Sequence, residues 1–139
     1  MQGMISKKMK YAIKALTYLA RHAEKETCVR TAEIATEEQI PKKFLEQILL
    51  ELKKAKMVNS IQGNTGGYYL LKPAQQINLA EIYRLFEGPI ALIPCASEVF
   101  YERCEDCRDE KKCKIKRNIR KIRNQTLAAM EQVTIQSLS

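Results

Sequence analysis

The chain of 139 residues has one histidine, no tryptophan and no apolar run near the roughly 18 residues that span a bilayer. No membrane partner is therefore expected. The stretch Met1–Lys8 also lacks a signal-peptide core, so the sequence reads as cytoplasmic. A lone His22 near the end of the first helix leaves little general acid–base chemistry, which argues against an enzyme. There is one C-x2-C pair and no second, so a zinc ribbon is not indicated. The βαβ surroundings of a thiol oxidoreductase are missing too. With 45% hydrophobic and 29% charged residues, the chain is neither disordered nor fibrous. Its length suits one domain, with or without a tail.

What the chain does have is positive charge, unevenly placed. The net charge of +8 divides into +5 over residues 1–62, −1 over 63–100 and +4 over 101–139. Eight of the thirteen residues from Lys111 to Arg123 are Lys or Arg. Such blocks favour an anionic partner, with nucleic acid ahead of a membrane surface.

Periodicity supplies the elements. Ile5, Met9, Ala12, Ile13, Leu16, Leu19 and Ala20 form a helical stripe. After a polar break over 22–26, Thr31 with Glu33 reads as a capping box, followed by a short helix near 32–38. Pro41 suits the first turn of a further helix near 41–54, whose apolar face is Phe44, Leu45, Ile48, Leu49 and Leu52. Two short helices across a tight turn, with Lys and Gln exposed at the start of the second, read as a helix-turn-helix. Strands near 57–61 and 68–71 flank Gly63, Gly66 and Gly67, whose spacing requires positive φ or close backbone approach. A helix-turn-helix followed by a hairpin is a winged helix. Residues 79–86 form an amphipathic helix ended by Gly88-Pro89, and 90–113 should be a loop. Ile115, Ile119, Ile122, Thr126, Ala129 and Val133 then recur at heptad-like spacing, the seam expected of a dimerisation helix.

The fold expected is therefore mostly α with a small β-hairpin: a winged helix-turn-helix plus a long C-terminal dimerisation helix. Candidate contacts to double-stranded DNA are Lys7, Lys8 and Lys10 at the N-terminus, Lys42, Lys43, Phe44 and Gln47 on the recognition helix, and Gln62, Gly63, Asn64 and Thr65 in the wing. Lys pairs with guanine or phosphate, and Gln contacts adenine. Tyr11 can be core or contact.

Four of the five cysteines follow the pattern C-x8-C-x2-C-x5-C at Cys95, Cys104, Cys107 and Cys113. Clustered thiols in a cytosolic chain are metal ligands or redox sensors more often than a disulfide framework. Soft thiolates suit an iron–sulfur cluster, with two or four irons, or zinc, and four of them satisfy either. A metal-free thiol sensor is a further alternative. Arg103, Arg108, Lys111, Lys112 and Lys114 are expected to lower the thiol pKa values, partly offset by Asp106, Asp109 and Glu110. Cys28 stands apart and reads as a small half-buried residue.

The segments Tyr11–Ala20, Ile40-Pro41, Phe44–Leu49, Gly63–Tyr68 and Glu87–Ile90, in that order ahead of the cysteines, resemble the Rrf-two family of winged-helix transcription regulators, of the IscR, NsrR and CymR kind. The resemblance covers nearly the whole chain. It implies a homodimer crossed through the long helix, a roughly palindromic operator, and in many members an iron–sulfur cluster held by three cysteines whose state sets DNA affinity. Cys95 then matches the first ligand and Cys113 the last, with Cys104 or Cys107 between. Some members add a histidine three residues after the last cysteine. That position here is Lys116. Many members also carry Arg before the wing glycines, where this chain has Gln62. The expected division is a DNA-binding domain over 1–88, a cysteine-rich cluster or sensor loop over 89–113, and a dimerisation helix with C-terminal tail over 114–139. The expected role is a repressor.

Overall fold

Ser6 starts the first helix. Its hydroxyl accepts from the Met9 N–H at 3.1 Å, while its own N–H donates to Glu87 at 2.8 Å, so the helix is fixed in place where it begins. The computed structural model describes residues 5–24 and 28–139, so Lys25 and Glu26 of the expected polar break, and Met1–Met4 of the leader argument, lie outside the described residues. Helix α1 (Lys7–His22) buries Met9, Ala12, Leu16 and Leu19 as the stripe requires, whereas Ile5 lies before the helix and is exposed. The buried side of α1 packs against the helices Lys42–Lys54, Leu79–Phe86 and Ile135–Leu138 and the strand Gly67–Leu70.

Helix α2 (Thr31–Glu37) does not use the expected cap. Arg30 occupies the N-cap position and no side chain caps it. Glu33 lies only two residues from Thr31, one short of capping-box spacing, and it accepts instead from the Tyr18 hydroxyl at 2.8 Å. Two cations of α1 hold the other end: Lys14 donates to the Glu38 carbonyl at 3.3 Å, and Arg21 pairs with the Glu38 carboxylate at 2.7 Å.

Helix α3 (Lys42–Lys54) buries Leu45, Ile48, Leu49 and Leu52, and Pro41 is its N-cap rather than a residue of its first turn. Both α2 and α3 end in a left-handed residue that is not glycine: Gln39 at φ 55° and Lys56 at φ 60°. In each case the next N–H reaches back into the helix, Ile40 to Ala35 and Met57 to Leu52, and both Ile40 and Met57 are buried. These are Schellman ends built without glycine, held by burial of the residue that follows. Because the Met57 N–H is used this way, the strand begins one residue later than expected.

Strands β1 (Val58–Ile61) and β2 (Gly67–Leu70) pair antiparallel with Val58 opposite Leu70. Val29 adds a bridge to Tyr68 through two 2.8 Å hydrogen bonds. That apposition explains Gly67, where a Cβ would lie 2.3 Å from the Val29 carbonyl oxygen. Gly63 serves the turn at φ +109°.

Asn78 caps α4 (Leu79–Phe86), and residues 87–113 carry only the short 3-10 turns Pro94–Ala96 and Glu110–Lys112. Helix α5 (Lys114–Gln132) packs on α4 and on the Pro94–Ala96 turn. It ends at Gln132, so Val133, expected to close the seam, lies off the helix. Its backbone is extended there and its carbonyl accepts from Leu79 N–H at 2.8 Å. The chain then returns through α6 (Ile135–Leu138), with Ile135 fully buried and its N–H on the Ile77 carbonyl at 2.9 Å. No helix among the described residues is long and apolar enough to cross a membrane. The architecture is mostly helical with a two-stranded antiparallel sheet, a winged helix-turn-helix followed by a long helix.

Backbone geometry sets two opposite outcomes, measured by urea unfolding. Lys56→Gly should stabilise the protein by about 1 kcal/mol, by relieving a left-handed conformation. Gly67→Ala should cost more than about 2 kcal/mol, because the Val29 strand must move away.

Candidate functional site

The second helix of the pair presents Lys42, Lys43, Glu46, Gln47 and Leu50 to solvent, while its opposite side is buried. Phe44 is different. It is half-buried, packs on the core and meets the Tyr11 ring edge-on at 5.6 Å, which makes both aromatics positioning groups for the start of α3. The Lys7 ammonium lies 5.7 Å from the Tyr11 ring centroid, so the Tyr11–Phe44 contact brings the start of α1 beside the start of α3. Lys10 is exposed. Lys8 is engaged within the protein: its ammonium pairs with Glu51 of α3 and lies 5.8 Å from the Phe86 ring centroid. Among the described residues Lys7, Lys10, Lys42 and Lys43 make no salt bridge.

The wing tip, Gln62 to Thr65, is exposed. Two contacts from the strand-like segment before α2 hold it: the Cys28 thiol donates to the Thr65 carbonyl at 3.3 Å, and the Arg30 guanidinium donates to the Asn64 carbonyl. Arg30 is exposed and without a salt bridge among the described residues, so it brings a cation to the tip where Gln62 supplies none. Sequence reasoning missed it, because 34 residues separate Arg30 from Asn64. Burial pushes the Tyr68 phenol above its ordinary pKa, and the negative charge of Glu46 adds to the shift, a sign that α3 and the wing strand are neighbours.

The four clustered cysteines line a single open cavity of about 550 Å³, together with Ile93, Asp106, Arg108 and Ile115. Cys95 is buried in the Pro94–Ala96 turn and its sulfur lies 3.8 Å from that of Cys104. Cys107 N–H donates to the Cys104 carbonyl at 3.2 Å. Cys113 is the N-cap of α5, its sulfur accepting from Lys116 N–H at 3.4 Å. All five cysteines are free thiols. No three His, Cys, Asp or Glu side chains among the described residues converge at metal-ligand distance. As a donor set, four soft sulfurs around one cavity fit a thiolate-bound group, and only Cys95 and Cys104 already face each other.

The expected lowering of thiol pKa fails for Cys104, whose thiol is pushed up. Its hydrogen bond to Cys95 is the largest cause, followed by burial and the negative charges of Cys95, Asp106 and Cys107. Two of the nearby cations are engaged by groups other than the thiols. Arg103 donates to the Cys107 carbonyl at 3.1 Å, and Lys116 is 3.5 Å from Glu110 and 5.2 Å from the Tyr101 ring centroid. Tyr101 donates to Glu110, which pushes the phenol up to about 12 and holds the Glu110 carboxyl below its usual range. His22 is not part of this site. It stacks on Tyr18 at 4.1 Å, with Nδ1 2.8 Å from the Tyr18 carbonyl.

Helix α5 leaves Ile115, Ile122 and Ala129 of its seam exposed, with Ile119 and Thr126 half-buried; Ile115 is 68% exposed. Leu92, Val99 and Phe100 of the cysteine loop are exposed as well. One basic residue of α5 points inward. Arg123, 5% exposed, donates to the Ala96 carbonyl at 2.6 Å and pairs with Glu98 at 3.0 Å. The basic run of which it is part gave no sign of that burial.

Comparison with known proteins finds transcriptional regulators similar to this chain over most of its length. Residues 5–139 match the Rrf2 family model, described as an iron-dependent transcriptional regulator. A Rhodobacter capsulatus protein named as an rrf2-like HTH-type transcriptional regulator is 42% identical over 137 residues, covering 97% of this chain and 91% of that protein. The HTH-type transcriptional regulator NsrR of Oceanobacillus iheyensis is 29% identical, over 92% of this chain and 84% of its own. Among solved structures, CymR, the global cysteine regulator of B. subtilis, superposes with a TM-score of 0.76 at 27% identity, covering 99% of this chain and 96% of that one.

Proposed function

The chain belongs to the Rrf2 family of DNA-binding transcriptional regulators, and from that premise we propose that it is a homodimeric repressor whose operator affinity is set by a group bound at its cysteine loop. The family and the matched relatives are regulators rather than enzymes. The observation that carries the proposal is the direct continuity of two sites. Four thiols around one cavity lead, through Cys113 as N-cap, into the helix that bears the exposed apolar seam.

In the proposed DNA complex, α3 enters the major groove, Lys42, Lys43 and Gln47 reach base edges, and Lys7 and Lys10 meet phosphates. Lys8, held by Glu51, positions α1 against α3 instead. Gln62, Asn64 and Thr65 lie along the minor groove, with Gly63 allowing close backbone approach and Arg30 supplying the charge. Two copies related by a dyad read half-sites of a palindrome about 34 Å apart.

At the loop, Cys95 and Cys113 with Cys104 or Cys107 would hold an iron–sulfur cluster. The 3.8 Å approach of Cys104 to Cys95 favours Cys104, and a fourth thiol removes the need for an outside ligand. When bound, such a cluster supplies a group sensitive to oxidants and small reactive ligands. The protein's part is to gather the thiols and tie their arrangement to α5. A structural zinc held by the same four thiols is the second reading, supported by the equal suitability of an all-sulfur set.

For DNA, sequences selected from a random duplex pool should converge on a palindrome with the native protein. Lys43→Ala combined with Gln47→Ala should erase that preference, and Arg30→Ala should weaken binding and reduce the salt slope by about one. An unchanged preference in the double variant refutes the recognition-helix assignment.

For the loop, anaerobically purified protein should be coloured and contain iron and sulfide. Colourless protein with stoichiometric zinc would establish the second reading in its place. For assembly, sedimentation should give dimers, and Ile115→Asp with Ile122→Asp, both at exposed positions, should give folded monomers. A surviving dimer would overturn the seam.

A further inference from the structure

Arg123 is the one buried cation of α5 among the described residues, and its placement is costly unless its donors are satisfied. They are satisfied by three partners. One guanidinium nitrogen donates to the Ala96 carbonyl at 2.6 Å, a contact that is itself buried. Another is 3.0 Å from the Glu98 carboxylate, and the Asn124 side-chain carbonyl accepts from Nε at 3.0 Å. Around it lie Tyr83, Ile90, Leu92, Thr126 and Leu127, a lining into which Leu or Met would fit without any charge to satisfy. What a guanidinium adds there is direction: it fixes one backbone carbonyl.

That carbonyl belongs to the residue after Cys95, in the turn Pro94–Ala96. Cys95 is the one buried thiol of the four, and the 2.6 Å contact from Arg123 holds its turn to α5. At the other end of the same loop, Cys113 caps α5. Helix α5 is therefore attached to the cysteine cavity at two points. Cys113 holds its first turn, and Arg123, ten residues and roughly 15 Å further along at 1.5 Å per residue, holds the Cys95 turn.

We propose that Arg123 is the positioning residue of the sensor: it keeps Cys95 buried at the cavity and makes α5 follow the cysteine loop as a unit. The proposal rests on the reading of the loop as a sensing site. Any rearrangement that draws Cys95 and Cys113 together displaces α5 at two points along its length, and a helix so held must tilt or shift rather than fray at one end. Arg123 is thus what converts a change among thiols into a change between the recognition helices of a dimer.

The test uses the full chain with Arg123→Met, Arg123→Lys and, as a comparison, Glu98→Gln, which removes only the exposed partner. In reduced, metal-free protein, alkylation by a maleimide is followed residue by residue by mass spectrometry. Cys95 in Arg123→Met should react about tenfold faster relative to Cys107 than in the native protein, the result of a more readily opened turn. Arg123→Lys should lie between the two, and Glu98→Gln should match the native rate. Unchanged Cys95 labelling in Arg123→Met overturns the clamp; if that variant does not fold, native labelling in Arg123→Lys does so.

The second arm measures affinity for the duplex selected by the native protein, before and after anaerobic loading with ferrous iron and sulfide. The ratio of the two affinities should fall to within about twofold of one in Arg123→Met, with the unloaded affinity retained. A preserved ratio overturns the coupling. A native ratio of one overturns the sensing reading and the coupling with it, while the labelling arm still decides whether Arg123 holds Cys95.

Discussion

The winged-helix body of this protein is built on the buried ridge of α1. Met9, Ala12, Ala15 and Leu16 have no exposed surface, and around them pack α3, α4, α6 and β2. Two alanines in that ridge allow close approach, and the larger Met9 and Leu16 contribute about 1.5–3 kcal/mol each by burial. The polar face of the same helix sets the orientation of its neighbours. Glu51 fixes Lys8 to α3, Glu33 and Glu38 fix Tyr18, Lys14 and Arg21 to α2, and Tyr11 meets Phe44. The angle at which α3 stands is thus a property of α1 as much as of the turn between the helices. These exposed and half-exposed ion pairs are individually weak. Their value is in choosing one packing among several that the apolar ridge alone would accept.

The second constraint is that the chain comes back. The long helix leaves the winged-helix body at the cysteine loop, and the chain returns at Val133 and Ile135, which bond to Leu79 and Ile77 on either side of the Thr134–Asn78 bridge. Ile135 is as buried as any residue of α1 or α3. Helix α5 is consequently part of the body at its far end and part of the loop at its near end, with Arg123 between. A helix fixed only by packing could slide along an apolar groove. One fixed by a carbonyl–guanidinium contact and a terminal backbone bridge has discrete arrangements, which a switch requires.

Much of this was legible in the sequence where hard-sphere rules govern. Three glycines in five residues predicted a hairpin, and each has its reason: Gly63 turns, while Gly66 and Gly67 accept a neighbouring backbone where a Cβ would lie within 2.1 and 2.3 Å of a carbonyl oxygen. The apolar stripes of α1, α3 and α4 were visible because burial enforces helical period. What was hidden depends on partners far along the chain. Gln39 and Lys56 take left-handed conformations that their identities do not announce, held there by burial of Ile40 and Met57. The pairing of Lys8 with Glu51, 43 residues away, has no signal in local spacing. Arg123 sat unnoticed in a basic run, since only the position of Ala96 shows that it faces inward. The heptad pattern carried on to Val133 because a spacing rule cannot see that Leu79 needs an acceptor there.

The incomplete gathering of the thiols bears on how the proposed sensor works. Cys95 and Cys104 face each other at 3.8 Å, but among the described residues no third His, Cys, Asp or Glu side chain joins them at metal-ligand distance. A site fully assembled in advance would bind its group tightly and change little on binding. A group shifts a conformational equilibrium only by its difference in affinity for the two arrangements. Thiols that must be drawn together provide that difference, because the bound arrangement and the free one cannot be the same. The hydrogen bond that Cys104 donates to Cys95 holds the Cys104 thiol above its ordinary pKa, and a thiolate ligand has to give up that proton when a metal binds. Part of the metal–sulfur binding free energy is then spent on moving the loop. Cys113 and the Ala96–Arg123 contact deliver that movement to α5, the helix that on this reading spaces the two DNA-reading surfaces.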